Sequence, residues 1–349
     1  MENKELLARI WNLEHVDRPG LFLDELHRMD KTPGTSSDSI EDHYRAAKAD
    51  CDRHVRGRDD SHPILSAALG TYVVPMAFGG QERIFDDGHK YLAGPVIFNA
   101  KEVDRLKVPN VMTSLLGKQI ELIKYAAEKS EGEYEVRIGD VQNPLGIAEM
   151  MWETEDFYAS LAEEPEQVHK LLGILTEVVI EYISKVKEVC KNLVPIAWPG
   201  IWAPNDRGVY IADDTMSMVS PTMYEEYGVY YNNIISREFG GLLLHSCTMK
   251  EPYFKSIIKN EGLRSINFAA QYSSNMTDIY RFFGGKAVIL PHYCHTDNPQ
   301  IGTVAEFIHK VADCWTPETP TILYISRSNE GGMQQEALDA FKSRWRMDS

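Results

Sequence analysis

Residues 239–248 read FGGLLLHSCT, and the fold is decided here. Two glycines end a helical run, three leucines form a short buried strand, and His245 and Cys247 follow two residues apart. Side chains on a strand alternate between faces, so positions i and i+2 point the same way. The two side chains therefore converge at the strand's C-terminal end. In a barrel of parallel strands that end carries the chemistry. Imidazole and thiolate together suit zinc. The same pair also reads as a packed histidine beside a buried free thiol, because structural zinc sites usually present four ligands.

Outward from this strand the chain alternates. Short apolar runs lie near residues 62–68, 134–140, 194–198, 209–212, 242–244, 265–268, 287–290 and 321–325, most of them separated by helical patterns. The longest helix, near residues 166–191, repeats Val168, Leu171, Leu172, Leu175 and Val179 on one face. Eight strands in βα alternation suit a closed (β/α)8 TIM barrel of the α/β class. Residues 1–60 read as helices and loops outside the barrel, with a turn-rich loop at 31–39. No internal repeat or low-complexity linker divides the chain, so residues 1–349 are expected to form a single barrel domain with 1–60 as a helical extension.

Composition narrows the function. The 349 residues carry 52 acidic and 36 basic side chains, a formal net charge of −16, which leaves no basic footprint for nucleic acid. No run of 18 apolar residues occurs, so no membrane span is expected. The opening MENKELLARIW lacks the apolar core of a signal peptide, and a cytoplasmic protein is expected. Five scattered cysteines without a CxxC pair indicate free thiols, not a disulfide framework.

Other residues at strand ends offer polar or aromatic groups. Asp140 ends one strand and leads into Asn143; Asp213 and Asp214 follow another, ahead of a helix capped by Ser220. Each acid can orient a substrate or act as a general acid or base, and each equally serves a loop by accepting backbone N–H bonds. Trp198 and Trp202 flank Pro199-Gly200 and offer walls for a small-molecule pocket, or core packing. The tyrosines at 224, 227, 230 and 231 recur at helical spacing and read as packing.

The ordered landmarks resemble the uroporphyrinogen decarboxylase superfamily, in particular its zinc-dependent corrinoid methyltransferases. They are Asp17-Arg18-Pro19, Asp140 with Asn143-Pro144-Leu145, Glu164-Pro165-Glu166, Asp213-Asp214 before Ser220-Pro221, His245-x-Cys247, and Thr321-Ile322-Leu323 with Asn329. The resemblance implies a (β/α)8 barrel with its site at the C-terminal rim. It also implies zinc held by His245 and Cys247, and a methyl group moved between a small methylated substrate, a corrinoid on a partner protein, or a thiol. No DxHxxG cobalamin signature occurs in this chain, so the corrinoid is expected on the partner. The arginine-rich RQAGR loop of the decarboxylases has no counterpart near residues 62–72. The methyltransferases take a third ligand, a cysteine, just after the last strand, where this chain has Ile325-Ser326-Arg327-Ser328. The cysteine of Pro291-His292-Tyr293-Cys294-His295 is the replacement expected, giving His245, Cys247 and Cys294 as metal ligands, with His292 and Asn143 toward substrate. The other reading is a metal-free barrel, decarboxylase-like or a non-catalytic small-molecule binder.

Overall fold

The computed structural model describes residues 2–24, 39–54, 57–84, 90–294, 301–326 and 332–347. Residues 31–38 of the loop read at 31–39, and His295, Arg327, Ser328 and Asn329, lie outside the described residues.

In chain order the strands are β1 (Gly20–Leu23), β2 (Ile64–Ser66), β3 (Glu82–Ile84), β4 (Lys90–Leu92), β5 (Glu135–Arg137), β6 (Leu193–Val194), β7 (Val209–Ala212), β8 (Leu242–His245), β9 (Leu263–Ala269), β10 (Val288–Tyr293) and β11 (Ile322–Ile325). β3 and β4 form an antiparallel hairpin in the long segment after β2. The others form two parallel runs, β1-β11-β10-β9-β8-β7 and β2-β5-β6. Parallel neighbours need crossovers, and helices such as Pro165–Val189, Tyr230–Phe239 and Val304–Cys314 supply them.

Two seams join the runs into a ring. At one, Tyr210 N–H donates to the Pro195 carbonyl at 2.9 Å and Ala212 N–H to Val141 at 2.8 Å. The two-residue β6 is thus a wedge beside the start of β5, while the extension of β5 bonds β7 directly, and β6 and β7 share one place in the ring. At the other seam, Asp60 N–H donates to Leu21 at 2.9 Å. Side chains finish that junction: Asp60 Oδ2 accepts from Leu21 N–H at 2.9 Å and Asp59 Oδ2 from Leu23 N–H at 2.5 Å. The architecture is the TIM barrel.

The strand inventory needs two corrections: the runs near 194–198 and 209–212 share one place in the ring, and the eighth strand lies nearer the N-terminus. Residues 1–60 are not all helices and loops, because β1 lies among them and pairs with β11 along its whole length. Its four residues, Gly-Leu-Phe-Leu, are fully buried but too few to show a period. The helix Glu2–Trp11 closes the opposite end of the barrel: Lys4 pairs with Glu135 at 2.5 Å and the Trp11 indole donates to the Trp202 carbonyl at 3.0 Å.

Candidate metal centre at the barrel rim

The helix Tyr230–Phe239 stops at Gly240, whose φ of 75° is a left-handed conformation that favours glycine. The chain then enters β8, where every residue is buried. His245 pairs in register with Ala212 of β7 and Asn267 of β9. That register sets the residues after β7 against those after β8. Asp214 Oδ1 accepts from the Cys247 backbone N–H at 2.6 Å and lies 3.7 Å from His245 Nε2. Cys247 Sγ is 3.7 Å from the same nitrogen. One atom each from Asp214, His245 and Cys247 thus lies within 4.8 Å of the other two.

The tautomer of His245 follows from its neighbour. Its Nδ1 is 2.6 Å from Asn267 Oδ1, while Asn267 Nδ2 donates to the Leu290 carbonyl at 2.5 Å and faces His292 Nδ1 at 3.2 Å. With its amide nitrogen committed there, Asn267 offers His245 only an acceptor. Nδ1 therefore carries the proton, and Nε2 turns its lone pair toward Asp214 and Cys247. The same chain makes His292 Nδ1 an acceptor. Burial, with the nearby His245, pushes the His292 pKa down to about 3, so the ring is neutral. Cys247 as a residue is open to solvent, yet the surroundings of its sulfur raise the thiol, first by burial and then by the Asp214 charge.

The remaining residues divide. Asp140 is raised by burial against the opposing effects of Tyr210 and Gln142; its Oδ2 accepts from Gln142 Nε2 at 3.1 Å, and its Oδ1 is buried with no hydrogen-bond partner among the described residues. Asp213 is wholly buried and pushed up to about 7, with burial the main cause. Asn143 caps the helix Pro144–Met151 by accepting from Gly146 N–H at 2.7 Å, so its oxygen is engaged with backbone. The Trp198 ring stands edge-on to His292 at 6.0 Å and to Tyr324 at 5.5 Å, which places it beside the site. Trp202 is not brought there. Its indole donates to Glu135 at 3.1 Å, at the start of β5 and therefore at the far end of the barrel. Cys294 lies outside the trio, with its Sγ 3.5 Å from Ser326 Oγ.

Asn267 and Tyr210 escaped the sequence reading. A buried amide in the run Ser265-Ile266-Asn267-Phe268 was the available signal, since a buried polar group needs partners.

The uroporphyrinogen decarboxylase (URO-D) family model matches residues 2–268. Among solved structures the chain is similar to a methyltransferase from Methanosarcina mazei, with a TM-score of 0.72, 14% identity and 98% of each chain covered. Bacillus subtilis mannanase man26 aligns with a TM-score of 0.42 at 12% identity, over 99% of this chain and 91% of the other. No curated protein matches the sequence.

Proposed function

The chain belongs to the uroporphyrinogen decarboxylase family, and on that premise we propose that it is a zinc-dependent methyltransferase. It moves a methyl group from a small methylated substrate to a corrinoid carried by a partner protein, or from that corrinoid to a thiol. The observation that carries the reading is the convergence of Asp214 Oδ1, His245 Nε2 and Cys247 Sγ at the barrel mouth.

The donor set fits the metal. Imidazole, thiolate and carboxylate are its three usual protein ligand types, and three protein ligands leave one position for substrate. His245, Cys247 and Asp214 would hold it, the carboxylate standing where the sequence pointed to Cys294. Bound there, zinc supplies a Lewis acid that polarises a leaving heteroatom or holds a thiolate.

The chain's own groups do the rest. Asn267 holds His245 in the ligating tautomer. Neutral His292 has Nδ1 turned to Asn267, which leaves Nε2–H to donate to a substrate. Trp198, edge-on to His292, walls the pocket and excludes water from the reacting methyl group. Asp140, whose carboxyl pKa is raised by burial, would give a proton to a departing oxygen, nitrogen or sulfur.

Protein purified without added zinc, and again after reconstitution, is expected to hold about one zinc per chain. Asp214→Asn and Cys247→Ser should each lower that content. The loaded protein should demethylate methylcobalamin in the presence of a thiol, followed by the cobalamin absorbance. A wild-type chain that takes up no zinc after reconstitution refutes the reading and favours the metal-free binder.

A further inference from the structure

The helix that follows the Asp213-Asp214 loop is not regular. Between Tyr224 and Val229 it widens into a π-turn, where Tyr230 N–H donates to the carbonyl of Glu225, five residues back. Such turns recur at functional sites because they redirect side chains that a regular helix would hold elsewhere. Tyr224 is the first residue of this turn. Its ring lies across Gly228, where an added Cβ would sit 2.5 Å from two ring carbons. The space left by glycine lets the hydroxyl reach inward and donate to Asp213 Oδ2 at 2.7 Å. Asn232 Nδ2, on the same helix, donates to that oxygen at 2.9 Å, and Asn260 Nδ2 approaches the Tyr224 hydroxyl at 3.4 Å.

Asp213 is fully buried and adjacent in sequence to Asp214. Its backbone N–H donates to the His245 carbonyl at 2.7 Å. Two donors from the helix therefore fix the carboxyl of one aspartate, while its main chain is fixed to the strand that ends in the candidate ligand His245. The next residue has its carboxylate on Cys247 N–H.

We propose that Tyr224, supported by Gly228 and the π-turn, is a positioning residue that holds the Asp213-Asp214 corner so that Asp214 faces His245 and Cys247. This rests on the zinc reading above and adds to it a device in the supporting helix. Packing alone would not require the hydroxyl. Tyr224→Phe keeps the ring and removes only the bond to Asp213.

The test measures metal affinity by competition with a chromophoric chelator, and the absorption spectrum of the cobalt-substituted protein. Tyr224→Phe is expected to weaken zinc binding about 10-fold or more, the usual effect of losing a support behind a ligand. Its cobalt spectrum should shift toward that of Asp214→Asn. Added to Asp214→Asn, the same change should alter cobalt affinity little further, because both act through one carboxylate. Gly228→Ala should reproduce the spectral shift; if it does not fold, Tyr224→Phe decides alone. A lower melting temperature with unchanged zinc affinity and cobalt spectrum would overturn the proposal. So would an equal loss of affinity with and without Asp214. A wild-type chain that binds neither metal would instead refute the zinc reading itself, and this inference with it.

Discussion

Asn267 is the residue on which the rim depends most. One amide side chain meets His245, His292 and the Leu290 carbonyl, so it sets the tautomers of both rings. Asn267→Leu keeps the branched shape and removes the amide that serves all three groups. It should cost about 10–100-fold in zinc affinity by freeing His245, and about 1–3 kcal/mol of stability by orphaning buried groups. Chelator competition and urea denaturation measure the two separately. The ligand set has its own comparison. Asp214→Asn should lose more zinc than Cys294→Ser, because Asp214 is in the trio and Cys294 faces Ser326. The reverse order would return the third ligand to Cys294. His292 predicts a pH dependence. Its folded pKa of about 3 lies below the ordinary value near 6.5, so between the two the unfolded chain binds a proton that the folded chain does not. Stability from this group is complete above pH about 6.5 and declines as the pH falls toward 3, by up to about 1.4 kcal/mol per pH unit. His292→Asn should flatten the stability profile between pH about 4.5 and 6.5, measured by chemical denaturation.

At the scale of elements, the seam beside β1 is where the ring depends on side chains. Asp60 accepts from Leu21 N–H and binds Arg18 through both oxygens, at 2.6 and 2.9 Å. The carboxylate is 1% exposed and the guanidinium 14%, so the pair is shielded from water. Removing one partner of such a pair leaves a buried charge uncompensated. Asp60→Ala should therefore destabilise the fold by about 3–5 kcal/mol, against about 1 or less for an exposed pair such as Arg45 with Glu41. Equilibrium unfolding distinguishes these magnitudes. The sequence did not reveal this seam, since Asp60 and Leu21 are 39 residues apart and only the folded ring brings them together. The same reason separates what was legible at the site from what was not. His245 and Cys247 could be paired in the sequence by strand alternation, a local rule, although β8 ends at His245 and the bend after it completes the approach. Asp214 was visible as an acid at a strand end, but its place beside Cys247 depends on the β7–β8 register across 33 residues. Trp198 and Trp202 looked equivalent on either side of Pro199-Gly200, yet the chain carries the second one down to Glu135. The tyrosine helix read as packing, and for Tyr227 that is the burial seen, but Tyr224 also reaches Asp213 because of a π-turn that periodicity does not reveal.

At the scale of the molecule, the trio joins the loop after β7 to the segment after β8, where the Asp213 N–H bond to the His245 carbonyl already links the two strand ends. Asp214 follows β7, His245 ends β8 and Cys247 lies two residues beyond it, so one bound ion would cross-link two neighbouring strand ends. Without it, the Cys247 thiol is held protonated, first by burial of its sulfur and then by the neighbouring Asp214 charge. A metal that binds this arrangement and not the unfolded chain must stabilise the barrel by mass action. At a free zinc concentration about 100 times the dissociation constant, the gain is about 2.7 kcal/mol. In a chain of this length that corresponds to a rise of several degrees in melting temperature, about 2–4 °C per kcal/mol being typical of somewhat smaller proteins. Scanning calorimetry should therefore show a zinc-dependent rise that a chelator reverses and that grows with the logarithm of zinc concentration. Asp214→Asn should shrink the rise, while Trp202→Phe, at the far end of the barrel, should leave it intact even though it lowers the starting temperature by breaking the bond to Glu135. A zinc-induced rise of equal size in the Asp214→Asn variant would place the binding elsewhere in the molecule.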